Sequence, residues 1–477
     1  MFKNLMIAAF SFLTFSVPSY SQEFSLDSIK AADLPAAAAP APAVSGPAQP
    51  KDWTIIFYAT TKDALRYSFV QSLLELKSVG ATSGVNVAIE GSFPVESAAG
   101  VVSTPTVRMA LGSAWDDATL ENVAKNAVTK DKMISESVLT AFSGDIVSRE
   151  LNANTGDWKR VAAFARWAKA AYPAKHYAFV IFGHGSGIFD AKKNPQKGTL
   201  MDVETKDYVT LPEMRTMMAS IGHVDAFVMT SCIMQMGEVA WQIKDYTDVI
   251  VGSSELMWSS GYDMAGLVNE LTSSPSVSSE QLGSDIAKGY VDRVKANKLP
   301  GGHASVILTS RLPDFGSKLD AWVDAEMALN DKEGISKGIA GVSRFDIFGF
   351  TLSTSAAAAS RVSISGDLYD FVSIVTENTP QATPAQQLAR QRGQELMNFI
   401  SNGLVYKYYY TGTSNTGYDF ARSHGVSVHV PPVKMIGGSW DAFSKYLETD
   451  YWSLPFAKET KWGTFLNWIY GRGPIRR

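Results

Sequence analysis

Two uninterrupted apolar runs constrain the fold of this chain most strongly. The first run spans 177–182 and stops at Gly183, and the second spans 226–229 and stops at Thr230. Runs that are apolar at every position are typical of strands covered on both faces, as in a parallel sheet. Both runs are therefore interpreted as buried parallel strands.

The same type of strand opens the folded part of the chain. Residues 53–59 form a further apolar run, 64–79 carry apolar residues at helical spacing, and 85–91 form another strand pattern. This order of strand, helix and strand is the signature of a right-handed crossover in an α/β sheet. The sequence therefore predicts an α/β fold with a mostly parallel central sheet, and the pattern loosens beyond Arg311.

Other elements are predicted from local patterns. Helices are expected over 157–171, over 210–221 with Thr210 as the cap, and over 234–245. The segment 144–155 is interpreted as a loop. The stretch 404–423 is rich in Tyr, Gly and Thr, and no element is assigned to it.

A histidine and a cysteine lie just beyond the two apolar runs. In open α/β sheets, ligands bind at the carboxyl ends of the strands, so His184 and Cys232 are predicted to meet at one edge of the sheet. A thiolate is a nucleophile, and an imidazole within reach can supply a proton to a leaving amine. We therefore predict a catalytic pair, with the backbone N–H groups of Gly185 and Cys232 stabilising an oxyanion.

Cys232 is the only cysteine of the chain. A single thiol cannot form an intramolecular disulfide, so it is either an inert buried group or a thiol kept for chemistry. The helix predicted to start directly after it would lower the pKa of the thiol, because a helix N-terminus carries partial positive charge. The other five histidines precede their strands or belong to a late C-terminal strand, so His184 is the best-placed partner.

Other kinds of site are not indicated. The segment 183–187 has Gly185 where a serine nucleophile elbow needs Ser, and it lacks the Lys of a phosphate-binding loop. No H-x-x-x-H or C-x-x-C motif occurs, so no metal site is expected. The net charge of -4, without a basic stripe, gives no indication of a nucleic-acid partner.

The first 21 residues have the order of a signal peptide. Lys3 precedes an apolar segment over 5–17, and Ser19 and Ser21 supply small residues at a cleavage position. The alternative is a membrane anchor, but the apolar segment is shorter than the ~20 residues that a spanning helix needs. Residues 22–50 then form a Pro- and Ala-rich linker. The predicted location is outside the cytoplasm: periplasmic, cell-surface or extracellular, with no membrane attachment once the signal is removed.

His184 lies within the segment 172–187, and Cys232 lies within the segment 231–246. The first segment resembles the His motif of the clostripain family of cysteine peptidases, within the caspase-like clan, and the second resembles the Cys motif of this family and the helix that follows it. Shorter segments that resemble other parts of the family are 52–54, 251–255, 261–262, 367–371 and 425–427. Together these segments extend from residue 52 into the C-terminal region.

The resemblance implies a caspase-like α/β/α sandwich with an α+β C-terminal region, with His184 as general acid/base and Cys232 as nucleophile. It also implies endopeptidase activity, often with maturation by internal cleavage. The loop that carries Lys192, Lys193 and Lys197 is a candidate processing site, and a merely solvated lysine loop is the alternative. Family members can depend on calcium. No compact carboxylate cluster indicates this here, so no cofactor is expected to be required, and a dependence on Ca²⁺ is left open.

Thr230 departs from the family pattern. The family usually has an Asp two residues before the nucleophile, and this Asp favours Arg or Lys at the cleavage position. A hydroxyl cannot supply the charge that pairs a guanidinium, so basic specificity is left open. The predicted oxyanion and substrate-binding residues are Gly185, Thr230, Ser231, Ser254 and Glu255, with Glu255 or Asp263 as candidates for the missing charge.

The leading prediction is an exported cysteine endopeptidase that cleaves peptide or protein substrates with a His184–Cys232 dyad. A catalytically silent, peptide-binding relative with the same fold is the alternative, and an ester-cleaving α/β hydrolase is a weaker one. The predicted domains are a signal peptide (1–21), a linker (22–50), a caspase-like catalytic domain (51–310) and a C-terminal region (311–477) that packs on or extends it. The sequence does not indicate the oligomeric state.

Overall fold

The computed structural model describes residues 50–188, 198–345, 364–414, 417–432 and 451–470. Its strands are β1 (Lys51–Thr60), β2 (Val85–Ser92), β3 (Val95–Glu96), β4 (Val102–Ser103), β5 (Pro105–Ala110), β6 (Ile134–Ser135), β7 (Ile146–Leu151), β8 (Ala174–Phe182), β9 (Thr199–Asp202), β10 (Asp207–Val209), β11 (Val224–Thr230), β12 (Thr247–Gly252), β13 (Gly301–Leu308), β14 (Ser365–Asp367), β15 (Val405–Gly412) and β16 (Ser427–His429).

The α-helices are α1 (Arg66–Val79), α2 (Asp117–Lys125), α3 (Ser137–Ala141), α4 (Trp158–Ala171), α5 (Leu211–Ile221), α6 (Gly237–Ile243), α7 (Met264–Ser273), α8 (Ser279–Ala296), α9 (Leu312–Leu329), α10 (Lys332–Gly341), α11 (Leu368–Asn378), α12 (Pro384–Phe399), α13 (Pro455–Glu459) and α14 (Trp462–Tyr470). Short 3₁₀ turns cover Thr309–Arg311, Phe420–Arg422 and Tyr451–Ser453, and a π-helical turn covers Ile400–Leu404.

A nine-stranded sheet forms the centre of the protein, in the order β15-β13-β12-β11-β8-β1-β2-β5-β7. The five adjacent strands from β12 to β2 are parallel. Two antiparallel strands complete the sheet on each side. The predicted α/β sandwich with a mostly parallel central sheet is confirmed.

Alternate side chains of the central strands enter two separate hydrophobic cores. In β1, Ile56 and Tyr58 pack on the face covered by α4, α5 and α6. Ile55 and Phe57 pack on the opposite face, covered by α1, α7 and α8. Because both faces are covered, the strand is apolar at nearly every position. The same layering brings the carboxyl ends of β1, β8, β11 and β12 together at one edge of the sheet.

Two outer strands differ from the sequence predictions. The segment 144–155, interpreted as a loop, contains β7, which pairs with β5 and has four exposed residues out of six. The Tyr-rich stretch 404–423 supplies β15, which pairs with β13. Since an outer strand is not buried on both faces, its sequence need not carry a continuous apolar run, and neither strand was predicted from the sequence.

The residues beyond 310 pack against the main sheet as well as extending it. Trp322, Phe371 and Phe465 belong to the hydrophobic core that also contains α5 and α6. Ser427 of β16 pairs with Met236, which immediately precedes α6. The described C-terminal residues therefore contact the segment that follows Cys232, while the domain boundary at residue 310 stays a prediction.

None of the helices within the described ranges combines the length and the apolar character that crossing a membrane would need.

Candidate active site

His184 and Cys232 follow two neighbouring parallel strands at equivalent positions. Phe182 of β8 is the register partner of Thr230 in β11, so each of the two residues lies two positions beyond a paired one. The backbone N–H of Gly183 also donates to the carbonyl oxygen of Thr230 over 3.3 Å. Neighbouring strands are about 4.8 Å apart, so the two segments leave the sheet side by side at its carboxyl edge.

Two glycines bring the loop of His184 against the turn of Cys232. A Cβ atom at Gly185 would lie 2.4 Å from the carbonyl oxygen of Cys232 and 2.9 Å from Cγ of Met234. Gly187 has a φ of +56°, and a Cβ atom there would lie 2.5 Å from Sδ of Met236. Neither position accepts a side chain without displacing its neighbours, so glycine is what allows the close approach of the two segments.

Asp63, in the loop after β1, lies against the imidazole of His184. The distance from Asp63 Oδ2 to His184 Nε2 is 2.5 Å. Burial by itself lowers the pKa of His184, but the hydrogen bond and the charge of Asp63 outweigh this and raise the pKa above its ordinary value. Burial would raise the pKa of Asp63, and the interaction with His184 reverses this and lowers it. The contact therefore favours an imidazolium beside a carboxylate.

Asp63 was not predicted as a functional residue from the sequence. The available signal was an acidic side chain shortly after a buried strand whose carboxyl end lies at the same sheet edge as His184. The sequence does not indicate, however, that β1 is the direct neighbour of β8, with Ala59 opposite Phe182.

Cys232 lies in a turn and is only partly buried. The backbone N–H of Met257 donates to its Sγ atom over 3.3 Å. The prediction that a helix starts directly after the cysteine is wrong, because α6 begins at Gly237. A helix dipole acts within about one turn of the helix end, so α6 does not supply the field that was expected at the sulfur.

The residue after Cys232 has a strained backbone. Ile233 has a φ of +62°, which is an outlier for a β-branched residue. Its N–H donates to the carbonyl oxygen of Glu255 over 3.2 Å, and the N–H of Gln235 donates to that of Ser253 over 3.1 Å. The segment after β12 therefore holds the turn in a conformation that the chain would otherwise avoid.

The predicted substrate-binding residues fall into two groups. Gly185, Thr230 and Ser231 adjoin the turn, and a Cβ atom added to Gly261 would lie 2.7 Å from Cγ2 of Thr230. The buried Ser231 hydroxyl makes no hydrogen bond within the described residues. The second group, Ser254 and Glu255, is buried and bound to backbone groups.

The contacts of this second group are structural. Ser254 Oγ donates to the carbonyl oxygen of Gln235 over 2.8 Å. Glu255 is 3% exposed, and its Oε1 accepts from the N–H of Leu256 over 2.7 Å. The Ser254 hydroxyl thereby supports the segment that follows Cys232, and Glu255 supports it through its backbone carbonyl, which accepts from the N–H of Ile233.

Asp263, the other candidate for the missing acidic charge, already has a cationic partner. Its Oδ1 accepts from the N–H of Gly266 over 3.0 Å at the start of α7. It also lies 3.4 Å from Nη2 of Arg293, whose guanidinium pairs with Glu75 at 3.0 Å. The structure therefore gives Asp263 a helix-capping and ion-pairing role.

The other five histidines lie away from Cys232 or are enclosed. His176 and His223 are at the opposite edge of the sheet, where they contact Asp225 and Asp248. His303 and His429 are completely buried, and burial lowers the pKa of each to about 3. His424 stacks on the ring of Tyr369, with the ring centroids 3.4 Å apart.

Two further predictions concern the surroundings of the site. Lys192, Lys193 and Lys197, the candidate processing residues, lie outside the described residues. Within the described ranges, no group of three or more His, Cys, Asp or Glu side chains is arranged to hold a metal ion.

Solved structures share this fold. One is a secreted C11 cysteine protease from Bacteroides thetaiotaomicron in complex with an irreversible peptide inhibitor, at 17% identity and a TM-score of 0.54, covering 88% of this chain and 99% of that chain. Another is an inactive zymogen C11 protease from Parabacteroides distasonis, at 15% identity and a TM-score of 0.55, covering 87% of this chain and 99% of that one. No match was found among curated proteins.

At these sequence identities, the similarity to solved structures establishes the fold alone. The family assignment rests on the sequence of this chain. The pattern of the clostripain family matches residues 114–468, which is most of the chain and includes both His184 and Cys232. The chain therefore belongs to the clostripain family, and it is a cysteine peptidase.

Proposed function

We propose that this protein is an exported cysteine endopeptidase in which Cys232 is the nucleophile and His184 the general acid and base. The observation that carries the proposal is the equivalent position of the two residues beyond neighbouring parallel strands, with Phe182 opposite Thr230. The close approach of Gly185 to the turn of Cys232 supports it further.

The reaction begins with transfer of the proton on Cys232 Sγ to the imidazole of His184. The thiolate attacks the carbonyl carbon of the peptide bond, and the electron pair of the carbonyl moves to its oxygen. Backbone N–H groups, those of Gly185 and Cys232, stabilise this oxyanion. Its collapse breaks the C–N bond, and the imidazolium gives its proton to the leaving amine.

The product of this first half is a thioester between Cys232 and the acyl part of the substrate. His184, now neutral, takes a proton from a water molecule whose oxygen attacks the thioester carbonyl. The C–S bond breaks, the carboxylic product leaves, and the thiolate with its imidazolium partner is restored.

We also propose that the side chain at the cleavage position is uncharged. Thr230 has no charge for a guanidinium or an ammonium, and its methyl group faces Gly261. The nearby acid Asp263 is paired with Arg293, and the carboxylate of Glu255 accepts from the N–H of Leu256. A basic side chain would therefore meet a site whose carboxylates already have partners.

Fluorogenic peptides that differ only at the cleavage position test both statements. Wild-type protein should cleave peptides with uncharged residues, while Cys232→Ala and His184→Ala should lose the activity. His223→Ala, at an exposed site on the opposite sheet edge, is the matched control. Thr230→Asp should gain cleavage after Arg, and a wild type that already prefers Arg or Lys would contradict the proposed specificity.

The same panel separates the alternative functions. If the wild-type protein binds peptides but, like the Cys232→Ala variant, cleaves none of them, the protein is a catalytically silent peptide-binding relative. Hydrolysis that survives Cys232→Ala would exclude the cysteine mechanism altogether. Assays with and without EDTA and added calcium test the proposal that no metal cofactor is required.

Export and maturation are further parts of the proposal. The signal-like first 21 residues support export, and structurally similar proteases include ones described as secreted. Mass spectrometry of protein recovered outside the cytoplasm should give an N-terminus beyond residue 21. The same spectra test processing, because an intact 190–198 segment in active enzyme would exclude obligatory cleavage at Lys192, Lys193 or Lys197.

A further inference from the structure

The carboxylate of Asp63 is hydrogen-bonded to one ring nitrogen of the predicted catalytic histidine. Its Oδ2 is 2.5 Å from Nε2 of His184, which leaves only Nδ1 of that ring to exchange a proton with the sulfur of Cys232. A carboxylate accepts and does not donate, so the contact selects the form of the ring that carries hydrogen on Nε2. The geometry thereby assigns separate tasks to the two ring nitrogens.

The backbone around Asp63 is fixed by the start of α1. The second carboxylate oxygen, Oδ1, accepts from the N–H of Leu65 over 3.0 Å. The carbonyl oxygen of Asp63 accepts from Nη1 of Arg66 over 2.9 Å and from its N–H over 3.2 Å. Both carboxylate oxygens are thus used, one to hold the loop and one to hold the imidazole.

The neighbouring residue anchors the loop from the other side. Nζ of Lys62 lies 2.8 Å from Oδ2 of Asp202, and the two side chains are 1% and 0% exposed. Lys62 also donates to the carbonyl oxygen of Ala153 over 2.9 Å. The N–H and hydroxyl of Thr155 donate to Asp202 over 2.8 and 3.0 Å, so the buried pair is well satisfied. The ammonium group therefore ties the loop that carries Asp63 to the β9–β10 hairpin through Asp202.

We propose that Asp63 is a positioning residue that orients His184 and stabilises its protonated form, so that the site works as a Cys232–His184–Asp63 triad. This inference rests on the proposed function. When Nδ1 takes the proton from the thiol, both ring nitrogens carry hydrogen, and the carboxylate faces the new positive charge. The raised pKa of His184 and the lowered pKa of Asp63 agree with that role.

Titratable and charged groups lie on each of the segments that meet the loop of His184. In the described residues they include Lys62, Asp63 and Arg66 after β1, Asp202 and Glu204 of the β9–β10 hairpin, Cys232 after β11, and Glu255 after β12. Of these groups, Asp63 is the one whose hydrogen bond and charge raise the pKa of His184. A change in the titration of His184 after substitution of Asp63 can therefore be assigned to this contact.

The experiment compares Asp63→Asn with Asp225→Asn in the full-length protein. Asp225 is a matched control, because it makes the same kind of contact with His176, at 2.7 Å, on the opposite edge of the sheet. Asp63→Asn should lower kcat by about 10²-fold or more, as expected for the loss of an oriented acid and base, while KM changes little. Asp225→Asn should leave both constants unchanged.

The dependence of kcat/KM on pH distinguishes a positioning role of Asp63 from a merely structural one, because a structural role would leave this dependence unchanged. The alkaline limb of kcat/KM follows loss of the proton from His184, so removal of the carboxylate should shift that limb to lower pH. Asp63→Glu keeps the negative charge, so its kcat and the pH of its alkaline limb should lie between those of Asp63→Asn and the wild type. An unchanged alkaline limb with near-normal kcat in folded Asp63→Asn would overturn the proposal.

Alkylation of Cys232 by iodoacetamide separates this inference from the peptidase proposal. Wild-type thiol should react at acidic pH because the imidazolium stabilises the thiolate, and Asp63→Asn should lose that reactivity at the same pH. If no peptide is cleaved but alkylation still depends on Asp63, the proposed function fails and the positioning role stands. If wild type and Asp63→Asn are alkylated with the same pH profile, the positioning role fails whatever the peptidase result, and circular dichroism verifies that both are folded.

Discussion

Replacement of Glu238 by Gln should remove a pH-dependent loss of stability at the junction between the predicted catalytic domain and the C-terminal region. Glu238 is the second residue of α6 and is 1% exposed. Its Oε1 accepts from the N–H of His429 over 2.9 Å and from the hydroxyl of Tyr451 over 2.7 Å. Its Oε2 has no hydrogen-bond partner within the described residues.

The size of the effect follows from the pKa of this carboxyl group. Burial raises the pKa of Glu238 from 4.5 to about 7, although its two hydrogen bonds favour the ionised form. The folded state therefore holds a proton that the unfolded state releases, and stability falls as the pH rises from about 4.5 through 7. The rise of the pKa from 4.5 to about 7 corresponds to about 3 kcal/mol of folding stability, and this contribution is completely lost only above pH ~8.

Glu238→Gln keeps the size of the side chain and an oxygen that can accept both hydrogen bonds. The added amide N–H₂ takes the place of Oε2 and costs about 1–3 kcal/mol at every pH, because it lacks a partner. The difference in unfolding free energy between wild type and variant should therefore change by about 3 kcal/mol between pH 4.5 and 8.5.

Urea denaturation at a series of pH values measures this difference directly. Other buried acids, Asp367 and Glu326, also have a pKa of about 7, but they are present in both proteins and cancel. Glu333→Gln, at an exposed site, is the control. Parallel stability curves for wild type and Glu238→Gln across this pH range would refute the reasoning.

Three other substitutions test the packing around the site. Gly185→Ala should lower kcat/KM by about 10²-fold, because the added Cβ meets the carbonyl of Cys232 and displaces the turn; full activity would mean that the two loops are farther apart. Lys62→Met should destabilise the protein by about 3 kcal/mol in urea denaturation by leaving Asp202 buried without its partner, and a second change, Asp202→Asn, should recover part of that loss. Gln235→Met should cost about 2 kcal/mol, because its amide donates to three buried acceptors on β12 and β13, and a thermal melt as stable as wild type would contradict this.

Much of the local structure could be predicted from short patterns. Helix α5 begins with the predicted Thr210 cap, and Glu213 completes a capping box with hydrogen bonds of 3.0 and 3.3 Å. Such contacts join residues three positions apart, so the residues that form them can be identified within one short stretch of sequence. The central strands were visible for a related reason, since burial on both faces leaves a continuous apolar run.

The start of α6 shows where a local pattern misleads. Residues 234–245 have the apolar spacing of a helix, yet the chain stays in a turn until Gly237. The N–H of Gln235 is held by Ser253, and Met236 pairs with Ser427. These partners are distant in sequence, and their hydrogen bonds outweigh the helical preference of a short segment.

The sequence by itself determined that this is an α/β protein and that His184 and Cys232 closely follow two buried strands, because an uninterrupted apolar run indicates a strand covered on both faces. Only the tertiary structure decided that β1 is the neighbour of β8, and hence that Asp63 contacts His184. It also decided that β7 and β15 complete the sheet, although neither carries an apolar run. Strand order depends on how helices cover both faces of the whole sheet, and no local stretch of the chain contains that information.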